Sequence, residues 1–357
     1  MKKILKIFLL TNIFLLVGCG VKNANNILEK LEKKLEEAKG YYIEGAMEII
    51  NNEDTYTYDV KVSYQKPDYY RIELTNRLNN HEQVILRNDD GVYVITPALN
   101  KSFKFQSDWP YNNSQVYLLN SILEDLLEDK NREVKDISNG YCLSSIVHYP
   151  NNRVLVKQKV YLDNDANITK VEVVDEADNV QISMHFTKQE YNKKFNNNHF
   201  ELSEFLNINN NKDTTQNETS SSSESNNTEK ENNKNSASNT KTTSTINDVI
   251  YPMYLPNNTY LTSQKIVDTE DGQRLILTFS GDSSFVLVEE TAKISNEGMI
   301  IPVSGEFEFL NEVIGVINSN SITWYSNGID YYLASDSITT AELMEIANSI
   351  SVLPVSK

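Results

Sequence analysis

Cysteine is nearly absent from this chain, which has only Cys19 and Cys142 among its 357 residues. Two cysteines cannot form the dense disulfide framework that stabilises small secreted domains. Cys142 lies in an alternating segment, Tyr141–Tyr149, that predicts a strand, and we interpret it as a small buried apolar residue. The chain must therefore draw its stability from apolar cores.

Basic residues are also scarce relative to acidic ones. The formal net charge is −17, and it becomes −20 without the three lysines of the first six residues. Such a surface is repelled by nucleic acid phosphates and by anionic lipid headgroups. We therefore exclude nucleic acid as a partner.

The sequence lacks the patterns of common catalytic sites. It has four scattered histidines without metal-ligand spacing, and it has neither a Gly-x-Ser-x-Gly motif nor a phosphate-binding loop. We predict a protein that is not an enzyme and that uses no metal and no cofactor. A pair of carboxylates of the glycosidase type stays open as an alternative, because Asp and Glu are abundant.

One apolar run, Ile7–Val17, follows the lysine-rich start and is too short to span a bilayer as a permanent helix. It leads into Gly18 and Cys19, and this ending resembles the lipobox of bacterial lipoproteins. The resemblance implies a signal peptide over residues 1–18 and a covalent diacylglycerol (palmitate) anchor on Cys19. The expected location is the outer face of the cytoplasmic or forespore membrane; an uncleaved signal anchor is the alternative.

Residues 207–247 interrupt the pattern of the rest of the chain. Asn, Ser and Thr fill 28 of these 41 positions, and the apolar residues are Ile208, Ala237 and Ile246. A segment with so little to bury cannot offset the entropy of ordering, so we predict a disordered linker. It separates a domain over residues 19–206, with charge −8, from an acidic domain over residues 248–357, with charge −11.

The first domain combines helical and strand periodicity. Apolar residues at helical spacing predict a helix around Ile27–Leu35, ending before Gly40, and a second helix over Gln115–Leu127. The segments between and after them alternate with period two, which is typical of antiparallel strands. These are Tyr41–Asn51, Thr55–Gln65, Tyr69–Asn76, Gln83–Ile95 with a turn at Asp90-Gly91, Phe103–Phe105, Tyr141–Tyr149, Val154–Leu162, Ile168–Asp175 and Val180–Thr187.

The second domain is also predicted to be α+β. Its strands are expected at Tyr260–Asp268, Leu275–Ser280, Phe285–Glu290, Gly305–Leu310, Ser321–Ser326 and Asp330–Ala334. Asn327-Gly328 is a hairpin signal between the last two strands. Thr339 and Glu342 form a capping box ahead of a closing helix.

We therefore predict the α+β class, with a curved antiparallel half-barrel that holds helices in its concavity and a smaller α+β C-terminal domain. Long sheets curl or pack against something to bury one face. The aromatic residues favour one region of this interior. The candidate apolar cavity consists of Phe103, Phe105, Trp109, Tyr117, Leu119 and Leu123. These side chains either line a cavity for an acyl chain or pack as an ordinary core, and we favour packing.

Two segments, Lys66–Glu73 and Ile85–Pro97, carry a resemblance to known proteins. The first is a strand entered through a proline with an aromatic-Arg pair, and the second is a strand, an Asp-Gly turn, a strand and a proline. In this order they resemble the LolA/LolB-like fold, which the N-terminal domain of RseB/MucB also adopts. Asn100–Phe105, Trp109 and the following helix are similar to the GerS-related and YdcC-like lipoproteins of clostridia and their relatives.

The C-terminal segments Gly328–Ser335 and Glu342–Ser349 resemble the RseB-type C-terminal module. Together the resemblances imply a membrane-anchored lipoprotein that binds and supports an envelope or cortex-processing protein in sporulation or germination. Two other functions stay open: carriage of a lipid or lipoprotein acyl chain, as in LolA/LolB, and an RseB-like envelope sensor.

Overall fold

The computed structural model describes residues 18–51, 54–111, 113–207, 246, 248–270 and 272–350. The predicted signal peptide, up to residue 17, and the predicted linker, over residues 208–245 and 247, lie outside the described residues.

Three helices and nineteen strands occur in the described residues. The helices are α1 (Gly18–Glu37), α2 (Leu119–Glu128) and α3 (Thr340–Asn348). The strands are β1 (Gly40–Asn51), β2 (Asp54–Gln65), β3 (Tyr69–Asn76), β4 (Glu82–Asn88), β5 (Gly91–Thr96), β6 (Lys101–Phe105), β7 (Glu133–Ile137), β8 (Gly140–Ile146), β9 (Lys157–Leu162), β10 (Ile168–Val174), β11 (Val180–Tyr191), β12 (Thr259–Thr269), β13 (Gly272–Gly281), β14 (Phe285–Thr291), β15 (Met299–Val303), β16 (Glu306–Leu310), β17 (Val313–Ile317), β18 (Ser321–Ser326) and β19 (Ile329–Ala334).

The first sheet has twelve strands in the order β15-β6-β5-β4-β3-β2-β1-β11-β10-β9-β8-β7. All of its pairings are antiparallel except the one between β15 and β6. Gly40 opens β1, and a Cβ there would lie 2.4 Å from the Tyr64 carbonyl oxygen of β2. This glycine is therefore required by the close approach of two strands.

Two helices cover one face of this sheet. The predicted apolar stripe of α1, Ile27, Leu28, Leu31 and Leu35, is buried, as is the stripe of α2. Both stripes join one core with inward residues of β1–β6 and β8–β11. The predicted fold class, a curved antiparallel sheet with helices packed inside it, is confirmed.

The second sheet has seven strands in the order β12-β13-β14-β19-β18-β17-β16, and α3 packs against it. Asn327 and Gly328 have φ values of 50° and 85°, as the predicted two-residue hairpin requires. The Thr339 side chain accepts a hydrogen bond from the Glu342 N–H at 3.3 Å, which confirms the predicted cap of α3.

Several elements differ from the sequence prediction. The sequence does not predict strands β7, β15 and β17. Helix α2 begins at Leu119 rather than Gln115, because the residues before it form a turn in which the Leu118 N–H donates to the Gln115 carbonyl. The chain after β11 also returns across the outer face of the first sheet. There Phe200, Leu202 and Leu206 bury the outward side chains of β4 and β5.

Candidate functional site

The six predicted cavity residues come together in the first core. Phe105, Trp109, Tyr117 and Leu119 are at most 2% exposed, and Leu123 is 8% exposed. Phe103 is partly buried against the same core. All six side chains therefore lie in or against one apolar core.

Strand β16 of the second sheet supplies the side chains that fill this region. The Phe307 ring lies 5.3 Å from the Phe105 ring and 5.7 Å from the Trp109 ring, measured between centroids. The Phe309 ring lies 6.2 Å from the ring of Tyr117. Aromatic rings at these separations pack directly against one another. The C-terminal part of the chain thus occupies the concavity of the first sheet.

A small cavity remains beside Tyr117, with a volume of about 30 Å³. It holds roughly two water molecules. Its walls are mostly aliphatic and aromatic, and Asn113, Gln115 and Glu308 add polar side chains.

The polar groups at this cavity are held in place by neighbours. Asn151 donates to the Glu308 carboxylate at 3.1 Å, and the Tyr117 hydroxyl donates to the Gln115 amide oxygen at 2.7 Å. Burial raises the pKa of Glu308 to about 7, although the Asn151 bond opposes the rise. The group can therefore gain or lose a proton near neutral pH.

A second buried carboxyl, Asp125 of α2, has similar properties. Ser114 donates to it at 3.0 Å and Gln158 at 3.2 Å. Burial raises its pKa to about 7. These contacts join the C-terminal half of α2 to the segment before the helix and to β9, so we interpret Asp125 as a structural acid.

The two halves of the chain are joined by specific polar contacts as well as by the aromatic core. The Gln83 side chain donates to the Ile314 carbonyl at 3.2 Å and accepts from the Ile314 N–H at 2.6 Å, as a strand neighbour would. The Lys101 ammonium lies 3.2 Å from the Asp330 carboxylate, and both are largely buried. Strand β15 pairs with β6 over five residues. Sequence reasoning missed this junction.

One further buried acid was missed. Glu289 of β14 is fully buried in the second core, directly opposite Tyr331 of β19. The alternation Phe285, Leu287, Glu289 within one strand is the sequence signal that places its side chain inward. Burial raises the pKa of Glu289 to about 7.

The described residues contain no group of three or more His, Cys, Asp or Glu side chains that could hold a metal ion. Cys142 is buried in β8, as predicted, and burial raises the pKa of its thiol. Cys19 lies within α1, but its side chain is outside what the structure describes. Among the described helices, none is both long and apolar enough to cross a membrane.

Comparison with known proteins finds a matching family and a relative of similar length. The profile of the family described as "Sporulation protein YdcC-like" matches residues 1–200. The chain is 33% identical to "Sporulation protein YdcC" of Bacillus subtilis over 356 residues, which cover 98% of each chain.

Similar solved structures include complexes. One is the MucA/MucB complex of Pseudomonas aeruginosa, with a TM-score of 0.32 and 12% identity over 90% of this chain and 97% of that one. Another is the CwlD amidase of Clostridioides difficile with the GerS lipoprotein, with a TM-score of 0.30 and 18% identity over 47% of this chain and 95% of that one. These scores are too low to transfer a partner, so the family assignment rests on the sequence.

Proposed function

Because the chain belongs to the family of YdcC-like sporulation proteins, we propose that it is a membrane-anchored extracytoplasmic lipoprotein that supports sporulation or germination by binding a protein partner. The lipid is a diacylglycerol on Cys19, and the protein itself performs no catalysis. The partner we propose is an envelope or cortex-processing protein.

The observation that carries this proposal is the identity of 33% along the whole chain. It spans both sheets, so both halves are retained together in the two proteins. Phe307 of β16 packs between the second sheet and the rings of Phe105 and Trp109 in the first core, and we call this contact the seam. The seam gives a physical reason for that retention, because removing β16 would expose Phe105 and Trp109.

The packing of the concavity supports protein binding over carriage of an acyl chain. Phe307 and Phe309 occupy the space in which a chain would lie, and the adjoining cavity has room for about two waters. A bound acyl chain would have to displace a strand that is packed and hydrogen-bonded. What the folded protein offers a partner is its outer surface.

The test uses sporulating cells. A B. subtilis strain lacking its YdcC relative would express the full chain with a C-terminal tag, as the natural sequence and as Cys19→Ala. After mild cross-linking during sporulation, proteins and lipids that co-purify are quantified by mass spectrometry. We expect one envelope or cortex-processing protein in near-equal amount, and transfer of the Cys19→Ala chain from the membrane to the soluble fraction with loss of palmitate labelling.

Two outcomes would contradict the proposal. Recovery of acyl lipid in equal amount without a protein would favour carriage. Membrane retention and labelling that are unchanged in Cys19→Ala would refute the lipid anchor. Cys142→Ala is the matched control, because it removes the other cysteine and should leave labelling and location unchanged.

A further inference from the structure

The two ends of the second sheet lie in different environments. At one end, β16 is packed against the first core through Phe307. At the other end, β12 closes the strand order and, within the described part of the chain, pairs only with β13. Its outer backbone N–H and C=O groups therefore face away from the sheet.

Strand β12 is long and exposed. It has eleven residues, or roughly 36 Å of strand. Seven consecutive residues, Tyr260–Ile266, are exposed. Free edges of this kind pair readily with other strands unless charges, prolines or short length prevent it.

The free edges of the twelve-stranded sheet carry such protection. Strand β7 has five residues and three charged side chains, Glu133, Lys135 and Asp136. Strand β15 contains Pro302, which has no N–H to donate. In β12 the only charged residues are Lys265 and Asp268, and its irregularity is confined to the first residues, between Leu261 and Ser263.

An apolar surface continues from β12 along the face that carries the second core. Ile266 pairs with Leu275, and Leu261 pairs with Phe279, so these side chains share a face with buried residues of β13. Nevertheless Ile266 is 51% exposed. The apolar face of the second sheet therefore extends onto β12, where the residues that cover the second core no longer bury it.

The segment before β12 enlarges this surface. The Tyr251 hydroxyl donates to the Gln264 side chain of β12 at 2.8 Å, which places Tyr251 beside the strand. Met253, two residues further, is 83% exposed, and its N–H donates to the Ser349 carbonyl, which places it beside the end of α3. Tyrosine is enriched in the centres of protein interfaces. We call Tyr251, Leu261 and Ile266, together with the free side of β12, the edge surface.

Acidic groups lie near the segment that precedes β12. Burial, together with the nearby carboxylates of Glu345 and Glu342, raises the pKa of Tyr254, which places both acids near that side chain. On β12 itself Lys265 and Asp268 offset one another, whereas residues 248–357 as a whole carry a net charge of −11. A second copy of the chain would bring the same negative charge, whereas a basic segment would be attracted.

We propose that β12 is a docking edge for an extended, basic segment of a partner protein, which adds a strand to the second sheet and places alternate apolar side chains on Tyr251, Leu261 and Ile266. Main-chain hydrogen bonds supply affinity in this mode, and the side-chain contacts supply specificity. The inference rests on the proposed function of partner binding and names the surface that performs it.

The test measures binding of a fluorescent peptide of alternating lysine and valine to the full lipidated chain in neutral phosphatidylcholine nanodiscs, by anisotropy. Two control peptides replace the lysines by glutamates or methylate the backbone amides. We expect each change to weaken binding at least about tenfold, because one reverses the charge and the other removes strand pairing.

The protein variants locate the site. Ile266→Lys should also weaken binding at least about tenfold, since it adds a charge like the peptide's and removes an apolar contact. Leu78→Lys is the matched control: Leu78 is 65% exposed in the turn before β4, and its change should leave affinity within about twofold. Circular dichroism verifies that both variants are folded.

A peptide affinity that is unchanged by backbone methylation or by Ile266→Lys would overturn the proposal. So would a dimer in light scattering that Ile266→Lys dissolves, because a second copy would then occupy the edge. Peptide binding seen only after deletion of residues 351–357 would likewise assign the edge to the chain's own terminus. If the peptide does not bind, although the co-purification from cells yields a partner in near-equal amount, the assignment of the docking surface to β12 is wrong and the proposed function stands.

Discussion

The buried carboxyl of Glu289 predicts how stability depends on pH. The Glu289 Oε2 atom accepts a long bond of 3.4 Å from the Ile250 N–H, and Oε1 has no hydrogen-bond partner in the described structure. Burial raises the pKa of this carboxyl from 4.5 to about 7. The folded state therefore holds the proton more tightly than the unfolded state does. The contribution of this group to stability is thus greatest below about pH 4.5 and falls as the pH rises towards 7.

The magnitude follows from that shift. The raised pKa of Glu289 corresponds to about 3 kcal/mol of lost unfolding free energy at pH 8. Glu289→Gln removes the charge but leaves an amide with few partners, which costs about 1 kcal/mol. We therefore expect the variant to be more stable than the natural chain by about 2 kcal/mol at pH 8 and to lose this advantage at about pH 5.

The assay is urea unfolding of the full chain followed by tryptophan fluorescence. Trp324 lies in the second core near Glu289 and Trp109 lies in the first, so Trp109→Phe in every sample leaves a single reporter. The contributions of other buried acids, such as Glu308, to the pH dependence of stability cancel when the variant is compared with its parent at each pH.

Glu290→Gln is the matched control. The Glu290 side chain is next along β14 and forms an exposed ion pair of 2.6 Å with Arg274. Exposed pairs contribute about 0–1 kcal/mol, so this variant should change stability little at either pH. An equal effect of Glu289→Gln at pH 5 and pH 8 would refute the reasoning, because it would mean that the buried carboxyl does not gain a proton on folding.

Two substitutions test the seam and the last helix. Phe307→Ala should lower the unfolding free energy by about 3–5 kcal/mol, because it opens a cavity between Phe105 and Trp109. Calorimetry measures this loss. The exposed residue Tyr332 supplies the control, and a loss no greater than that of Tyr332→Ala would contradict the prediction. Thr339→Ala should cost about 1 kcal/mol through loss of the α3 cap. Thr340→Ala, one residue further and without that bond to Glu342, is its control in the same urea titration.

Local signals were sufficient to predict most elements of the fold. The Asn327-Gly328 hairpin and the Thr339 cap depend on backbone preferences of a few residues, and they occur where predicted. The stripes of α1 and α2 depend only on helical spacing. Each of these features can be identified within a short window of sequence.

The missed elements depend on residues far away in the chain. Strand β7 has no inward apolar alternation, β17 is buried at every position, and β15 contains a proline. Strand β15 acquires its place through pairing with β6, almost two hundred residues earlier. The candidate site shows the same division: its aromatic members were found from composition, but Phe307, which fills the site, belongs to the other half of the chain.

The seam makes a final prediction about residues 207–247. A long polar segment between two domains would ordinarily allow them to separate, but here the halves also share the β15–β6 pairing, the Lys101–Asp330 ion pair and the buried Phe307. A protease site placed within residues 215–235, once cut, should leave two pieces that elute together from a sizing column.

The same cut in a Phe307→Ala chain should yield pieces that separate more readily under mild urea, because the apolar contact across the seam is weakened. If the natural pieces separate without denaturant, the covalent connection rather than the seam holds the halves together. If they stay together, β12 and α1 belong to one associated unit, and a partner bound at the edge of β12 is kept close to α1 even when the connection is cut.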